Sequence, residues 1–342
     1  MGELVLPVDS ARLRLRRFTP ADALAFAAYR SDPAVARFQG WSTPFEPDAA
    51  SRFIAAQADL AGPTRGRWVQ IAVEHAGELI GDVAVRLDDD GRLATIGYTL
   101  APAHQGRGFA REAVACLLDH LLDTLGVHRV EASLDPRNVA SARLLERLGF
   151  DHEGTFLSAV VADGEWTDDD HYALTADRRR TWNERQRARP DDVRFVEVTA
   201  GNRQQVLRLE IHHSQQRFVA PMAQSFADAL VPDVVDGEPV VPWFRAIEAD
   251  SSLAGFVMIA ARTEAHPEAY LWRLLVDRWH QRRGIGERAL ELLVEQLRAD
   301  GHETLLVSWH PGAGGPEPFY LDRGFVPTGI VEDGEIEARL RL

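Results

Sequence analysis

One ordered set of short motifs occurs twice in the chain, and this constrains the fold more than any other feature. The first set is Ile96-Gly97-Tyr98-Thr99-Leu100, then Gln105-Gly106-Arg107-Gly108-Phe109-Ala110, a long apolar-periodic run, and Leu148-Gly149-Phe150. The second is Leu274-Leu275-Val276-Asp277, then Gln281-Arg282-Arg283-Gly284-Ile285-Gly286, another periodic run, and Arg323-Gly324-Phe325. Gln105 and Gln281 stand 176 residues apart and the Gly-Phe pairs 175 apart, so order and spacing are both kept. Two copies of one fold are predicted, in agreement with 342 residues at roughly 150 per domain.

Each copy reads as strand, glycine turn, helix, strand, helix. Ile96, Tyr98 and Leu100 alternate as in a half-buried strand, whereas Val114, Leu117, Leu118, Leu121 and Leu125 recur at helical spacing until Gly126. Leu290, Leu293, Val294 and Leu297 repeat the pattern before Gly301. Residues 130–134 and 304–308 read as the next strands, each feeding a shorter helix that ends at its Gly-Phe pair. The expected class is α/β (α+β), two tandem domains, each a mixed central sheet flanked by helices. Thr19-Pro20 near the amino terminus reads as a helix start. The first domain is expected over 1–177 and the second over 193–342. Between them, at 178–192, Arg178, Arg179, Arg180, Arg185, Arg187 and Arg189 crowd a segment read as a solvated linker.

With 45% hydrophobic and 26% charged residues, the chain has apolar material for two cores and is not of disordered composition. No run approaches the roughly 18 apolar residues of a membrane span, and Met1 to Asp9 lacks the features of a secretory signal. Cys116 is the single cysteine, which excludes an internal disulfide and a thiolate metal cluster. A cytoplasmic location is expected. The His212-His213 pair lacks metal-ligand spacing and an acidic third ligand, and no metal is expected. All 38 basic residues are arginines, against 52 acidic ones. The net charge of −14 argues against a nucleic-acid partner and fits a small cationic molecule.

A Gln-x-x-Gly-x-Gly/Ala turn between strand and helix exposes backbone N–H groups at the positive end of a helix dipole, where glycines let a phosphate approach closely. A single such turn reads equally well as a tight connection. A dinucleotide fold would need its glycines early in the domain and an acidic residue about 20 residues on, and neither is present.

On these motifs the chain resembles, as a tandem pair, the GNAT superfamily of acetyl-coenzyme A dependent N-acetyltransferases. The first half resembles ribosomal-protein alanine/serine N-acetyltransferases, from Leu13-Arg14-Leu15-Arg16 through Gly81-Asp82, Gly97-Tyr98, the glycine turn and Asn138-Val139-Ala140-Ser141. The second resembles diamine (spermine/spermidine) N-acetyltransferases. That likeness lies in residues 270–277, the glycine turn, Ser308-Trp309-His310-Pro311-Gly312, Phe319-Tyr320 and Pro327-Thr328-Gly329.

The resemblance implies acetyl-CoA as donor. Its coenzyme contacts fall on Tyr98, Thr99, Leu100, Gln105, Gly106, Arg107, Gly108, Phe109, Ala110 and Asn138. In the second copy they fall on Leu274, Leu275, Val276, Gln281, Arg282, Arg283, Gly284, Ile285 and Gly286. It implies Tyr320 as the acid for the departing thiolate, a role suited to a phenol of pKa about 10. The position matching Tyr320 in the first copy is Leu145, so Ser141 is the catalytic residue implied there. The second copy departs in its loop at 312–316, where an expected asparagine is missing. Acceptor contacts are expected from Glu210, Gln215, Glu248, Trp272 and Trp309, since a cationic amine favours carboxylates and aromatic faces.

The function expected is acetyl transfer to a primary amine of a small, polyamine-like acceptor. An aminoglycoside-like antibiotic, a biosynthetic intermediate or a protein amino terminus stands as the alternative. A different reading makes one domain a non-catalytic coenzyme-binding or dimerisation module. The expected partner is a small-molecule amine, with no nucleic acid and no membrane, and the protein is either a monomer with two pseudo-symmetric domains or a homodimer.

Overall fold

In the computed structural model, residues 5–342 are described apart from 163, 236, 265 and 266. The chain divides into two units, Met1–Glu184 and Arg185–Leu342.

The strands of the first unit are β1 (Val8–Asp9), β2 (Arg14–Arg16), β3 (Trp68–His75), β4 (Glu78–Leu87), β5 (Leu93–Leu100), β6 (Arg129–Leu134), β7 (Asp151–Ala162) and β8 (Glu165–Thr175). They form one sheet in the order β1-β2-β3-β4-β5-β6-β8-β7. Every neighbouring pair is antiparallel except β5 and β6. Its helices are α1 (Ala23–Arg30), α2 (Pro33–Ala36), α3 (Pro47–Ala55), α4 (Phe109–Asp119), α5 (Val139–Leu148) and α6 (Ala176–Glu184).

The α4 sequence buries Phe109, Ala113, Val114, Leu117 and Leu118 along one stripe, then continues as a π turn that buries Leu121 and Leu122. Gly126, at φ 71°, ends the run in a conformation that side chains disfavour. Against this stripe pack Ile96, Leu100, Val130, Leu145, Leu148 and Phe150. On the other sheet face, α1 and α3 enclose Phe26, whose ring meets those of Phe18, Tyr29, Phe45 and Phe53. Each such fully buried large side chain contributes about 1.5–3 kcal/mol.

Residues 178–184, expected in a linker, instead complete α6 and pack on the first unit. The Trp182 ring is buried and covers Gly149, while Arg179 donates to Leu148 O and pairs with Asp119 at 2.8 Å. A run of arginines reads as solvated by composition alone, but here carbonyls and carboxylates at the end of α5 and α4 supply partners.

In the second unit the strands are β9 (Val193–Val196), β10 (Val234–Val235), β11 (Glu238–Pro239), β12 (Val241–Ala249), β13 (Ser252–Ala261), β14 (Ala269–Val276), β15 (Thr304–Trp309), β16 (Val326–Glu332) and β17 (Glu335–Arg341). The main sheet runs β16-β17-β15-β14-β13-β12-β9, again with one parallel pair, β14 and β15, and β10 and β11 form a separate ribbon. The helices are α7 (Arg203–Leu207), α8 (Met222–Leu230), α9 (Ile285–Ala299) and α10 (Glu317–Leu321). One face is covered by α9 through Ile285, Ala289, Leu290, Leu293 and Leu297, and the other packs Val206, Leu209 and Met222 on Phe256, Met258 and Leu275. Among the described residues, no helix is long and apolar enough to cross a membrane.

The two units repeat each other at the level of single atoms. A Cβ on Gly81 would lie 2.2 Å from Thr99 O, and one on Gly255 would lie 2.3 Å from Leu275 O. Only glycine lets β4 approach β5, and β13 approach β14, at this point.

Candidate active sites

In both units the parallel strands pair briefly and then part. The rungs are Leu93↔Arg129, Ala94↔Val130 and Thr95↔Glu131 in the first unit, and Ala269↔Leu305, Tyr270↔Leu306 and Leu271↔Val307 in the second. Beyond Thr95 and Leu271 the edge facing the neighbouring strand has no ladder bonds, so a fork opens in each sheet. The predicted residues Tyr98, Thr99 and Leu100, and Leu274, Leu275 and Val276, lie on these open arms. Trp272 is skipped in the register between Met258↔Arg273 and Ile259↔Leu271, a bulge without counterpart in β5.

Each arm ends in the same hydrogen bond. Gln105 Nε2 donates to Leu100 O, and Gln281 Nε2 donates to Val276 O, both at 3.0 Å. The glutamine therefore ties the glycine turn to the end of its strand. Gly108 and Gly284 precede their helices with φ of 80° and 79°. Gly106, at φ 72°, is matched by Arg282 at φ 63°, a left-handed arginine where the first turn has glycine. A Cβ built at Gly106 meets no atom within 4 Å, and at Gly108 it meets Arg12 Nη2 at 3.6 Å. The turn thus leaves room beside the start of α4, which suits the diphosphate of acetyl-CoA.

A cleft of about 550 Å³ joins these parts in the first unit. It is lined by Tyr98, Thr99, Leu100, Gln105, Gly106, Gly108, Phe109, Ala110, Asn138 and Ser141, all expected from sequence. Asn138 caps α5 by accepting from the Ser141 N–H, and Ser141 Oγ lies 2.6 Å from the Tyr98 hydroxyl. Burial holds the Tyr98 phenol well above its ordinary value, and the bond to Ser141 only partly offsets this. The cleft also contains residues that the sequence did not point to. Ala34, Val35, Phe38 and Gln39 form one wall, and Arg111, Arg143 and Arg147 bring positive charge. The spacing of Arg143 and Arg147, four apart on one helix, was the available signal. Arg107 is not among the lining residues; its guanidinium lies 4.8 Å from the Phe109 ring.

In the second unit Tyr320 is 7% exposed and stacks on Trp309, with ring centroids 5.5 Å apart and an interplanar angle of 16°. Burial, and secondarily the neighbouring Tyr270 phenol, raise its pKa well above the ordinary tyrosine value, so it keeps its proton. Its hydroxyl has no hydrogen-bond partner among the described residues. Leu145, at the matching place, is fully buried in the first core.

Other expected residues are distributed differently. Gln215 Oε1 accepts from Gln281 at 2.8 Å and so stands at the glycine turn. Glu210 pairs with Arg278 at 3.1 Å, and its N–H donates to Asp277 Oδ2 just beyond β14. Trp272 packs partly buried on the α7–α8 side. Three expectations need correction. Trp309, at 2% exposure, belongs to the core under Tyr320 and offers no face to an acceptor. Glu248 pairs with Arg194 between β12 and β9, at the far edge of the sheet from the fork. The Arg283 guanidinium is buried and engaged with Ala188 O, His280 Nδ1 and Asp250 Oδ2, so it is a structural tie rather than a phosphate ligand. Arg189 instead lies over the second turn, with side-chain atoms 3.4–3.7 Å from a Cβ built at Gly284. Ile285 is buried as the first residue of α9, and Gly286 lies against Val276 and Phe319. The 312–316 loop is covered by Arg217, which donates to Ala313 O at 2.7 Å, and by Phe218, 3.0 Å from a Cβ built at Gly315.

Comparison with known proteins identifies the family. Residues 12–151 match the model described as Acetyltransferase (GNAT) domain, and residues 209–325 match Acetyltransferase (GNAT) family. The uncharacterized N-acetyltransferase p20 of Bacillus licheniformis is 35% identical over 159 residues, 46% of this chain and 89% of that protein. The [ribosomal protein uS5]-alanine N-acetyltransferase of Escherichia coli is 36% identical over 80 residues, 23% of this chain and 41% of that protein. The spermidine N(1)-acetyltransferase of Vibrio cholerae is 31% identical over 77 residues, 22% of this chain and 44% of that protein. The chain belongs to the GNAT acetyltransferase family, with two GNAT domains in tandem. It is an N-acetyltransferase whose acyl donor is acetyl-CoA.

Proposed function

We propose that the protein acetylates a primary amine of a small, cationic, polyamine-like acceptor, with the second unit as the seat of transfer. Acetyl-CoA supplies an activated acyl group as a thioester. The chain must hold it, bring a neutral amine to it and keep a proton ready for the thiolate. The observation that carries this reading is the buried Tyr320, stacked on Trp309, the fourth of the five residues of α10 and unmatched in the first unit. A negative field at the fork, where Glu335 and Glu337 both act on Tyr270, supports a cationic acceptor. The net charge of −14 acts in the same direction.

In this reading Gln281, Gly284, Ile285 and Gly286 form the second coenzyme turn, Arg189 replaces Arg283 as its cation, and Gln215 and Trp272 border the acceptor. The first cleft binds a second coenzyme through the residues that line it, and Ser141 with Tyr98 forms its polar pair. The domain limits that fit this division are 1–184 and 193–342, with 185–192 as the connection.

The decisive test is Tyr320→Phe. Turnover should fall by on the order of 10²–10⁴ with coenzyme A affinity retained; unchanged turnover would remove Tyr320 and the second unit from the chemistry. A screen of spermidine, aminoglycosides and short peptides for thiol release from acetyl-CoA identifies the acceptor. A second reading, acetylation of a protein amino terminus by the first unit, is favoured by the wall from Ala34 to Gln39 and by the likeness to the ribosomal-protein enzyme. Activity on peptides that survives Tyr320→Phe and is lost with Ser141→Ala would establish it.

A further inference from the structure

On one face of the second sheet, a chain of hydrogen bonds links three residues to which nothing above assigns a part in proton transfer. The Tyr270 hydroxyl donates to Ser308 Oγ at 2.5 Å, and the Ser308 hydroxyl donates to Glu335 Oε2. The other oxygen of Glu335 lies 3.5 Å from His310 Nε2, and His310 is 48% exposed, so the chain runs from a half-buried phenol to solvent. Tyr270 belongs to the second of three parallel rungs, and Ser308 immediately follows Val307 in the last. Both therefore stand where the fork opens. Ala269, Leu271, Leu305 and Val307 enter the α9 core, which by strand alternation turns Tyr270 and Ser308 to the opposite face.

The first unit repeats the pair. Ser133 and Ser308 are each the fifth residue of their strand, opposite His171 and Glu337 respectively. In each case a carboxylate stands two residues before that partner, Asp169 in one sheet and Glu335 in the other. The Ser133 hydroxyl stabilises the Asp169 carboxylate against the burial that raises its pKa. A serine and a carboxylate thus recur at one place in both sheets, although the hairpins that carry the acids differ in length.

We propose that Tyr270, Ser308 and Glu335 relay the proton of the acceptor ammonium out of the fork. This rests on the reading of the second unit as the seat of transfer. The ammonium passes a proton to the Tyr270 oxygen as Tyr270 passes its own to Ser308 and Ser308 passes its own to Glu335. The products are a neutral amine and a carboxylic acid; the acid returns its proton through His310 to water. No oxidant or further reactant is needed. The donors already point outward along this path. Tyr270 faces Glu335, Glu337, Arg273 and the Tyr320 phenol: burial opposes its ionisation most, the two carboxylates add to this, and Ser308 and Arg273 act in the other sense. Glu335 is faced by Ser308 and His310.

The test uses the full chain, acetyl-CoA, and two amines of different basicity: 1,4-diaminobutane, with pKa about 10.4, and an alanyl peptide, with pKa about 8. Glu335→Gln and Ser308→Ala should each lower kcat/KM on the order of 10²-fold at neutral pH. With the peptide the deficit should shrink as the pH passes 8, where the amine is already neutral; with the diamine it should persist. Ser308→Thr, which restores a hydroxyl, should recover most of the activity, and coenzyme A affinity by calorimetry should be unchanged in all three. An equal loss at every pH with the peptide, or no loss with either amine, overturns the relay while leaving acetyl transfer intact. Turnover that survives Tyr320→Phe, or no transfer by the unaltered chain to either amine, defeats the reading beneath it, and the relay with it.

Discussion

Tyr320 and Leu145 occupy matching places before their Gly-Phe pairs, and their environments differ in what they leave available. Leu145 is sealed in apolar surroundings, whereas Tyr320 stacks on Trp309 with a hydroxyl that no described residue engages. Nothing in the residue type alone distinguishes a packed phenol from one kept for chemistry. Asp22 shows the same dependence on neighbours. Burial would raise its pKa, but the Arg16 guanidinium at 2.8 Å and the Thr19 N–H and hydroxyl more than reverse this and hold it below 3.8. Because the folded value is depressed, its contribution is present above pH 3.8 and lost as the pH falls through the folded value. Asp22→Asn should cost about 1.5–3 kcal/mol at neutral pH. Urea denaturation should show the gap between mutant and parent closing in acid; a gap that stays constant with pH would show that the charge is not what stabilises the helix start.

At the scale of elements, the glycine turns work because the backbone, not the side chains, makes the site. Gly108→Ala and Gly284→Ala each place a Cβ at a left-handed position, at a cost of about 1–2 kcal/mol, and reorient N–H groups at the start of α4 or α9. Weaker coenzyme A binding at the altered turn, measured by calorimetry, is the expected outcome. Gly81→Ala should be worse for folding than either, since its Cβ would sit 2.2 Å from a backbone carbonyl that has nowhere to move. A lower denaturation midpoint than that of Gly108→Ala checks the ranking. The strand, turn and helix sequence of each half was legible from alternation, helical spacing and stop glycines. The fate of α6 was not, because its partners Gly149, Leu148 and Asp119 are 29 to 60 residues away in sequence.

For the whole molecule, two complete turns with matching glutamine bonds predict two coenzyme sites per chain. Titration with coenzyme A should give a stoichiometry near two; a value of one would mean that only one of the two turns binds the coenzyme. The repeat in the sequence by itself determined that there are two copies of one fold and where each turn lies, because spacing along the chain is preserved when a fold is duplicated. It also pointed to Tyr98, Ser141, Gln105 and Tyr320 as candidates, from their positions within a motif. Only tertiary structure decided that Trp309 is core, that Glu248 and Arg283 are engaged in structural ties, and that Arg111, Arg143, Arg147 and the α2 wall join the first cleft. These assignments depend on which side chains meet across the sheet, and neither composition nor spacing along one chain encodes that meeting. The relay from Tyr270 to Glu335 is of this kind, joining three strands 38 and 27 residues apart at a fork that forms only when the sheet does.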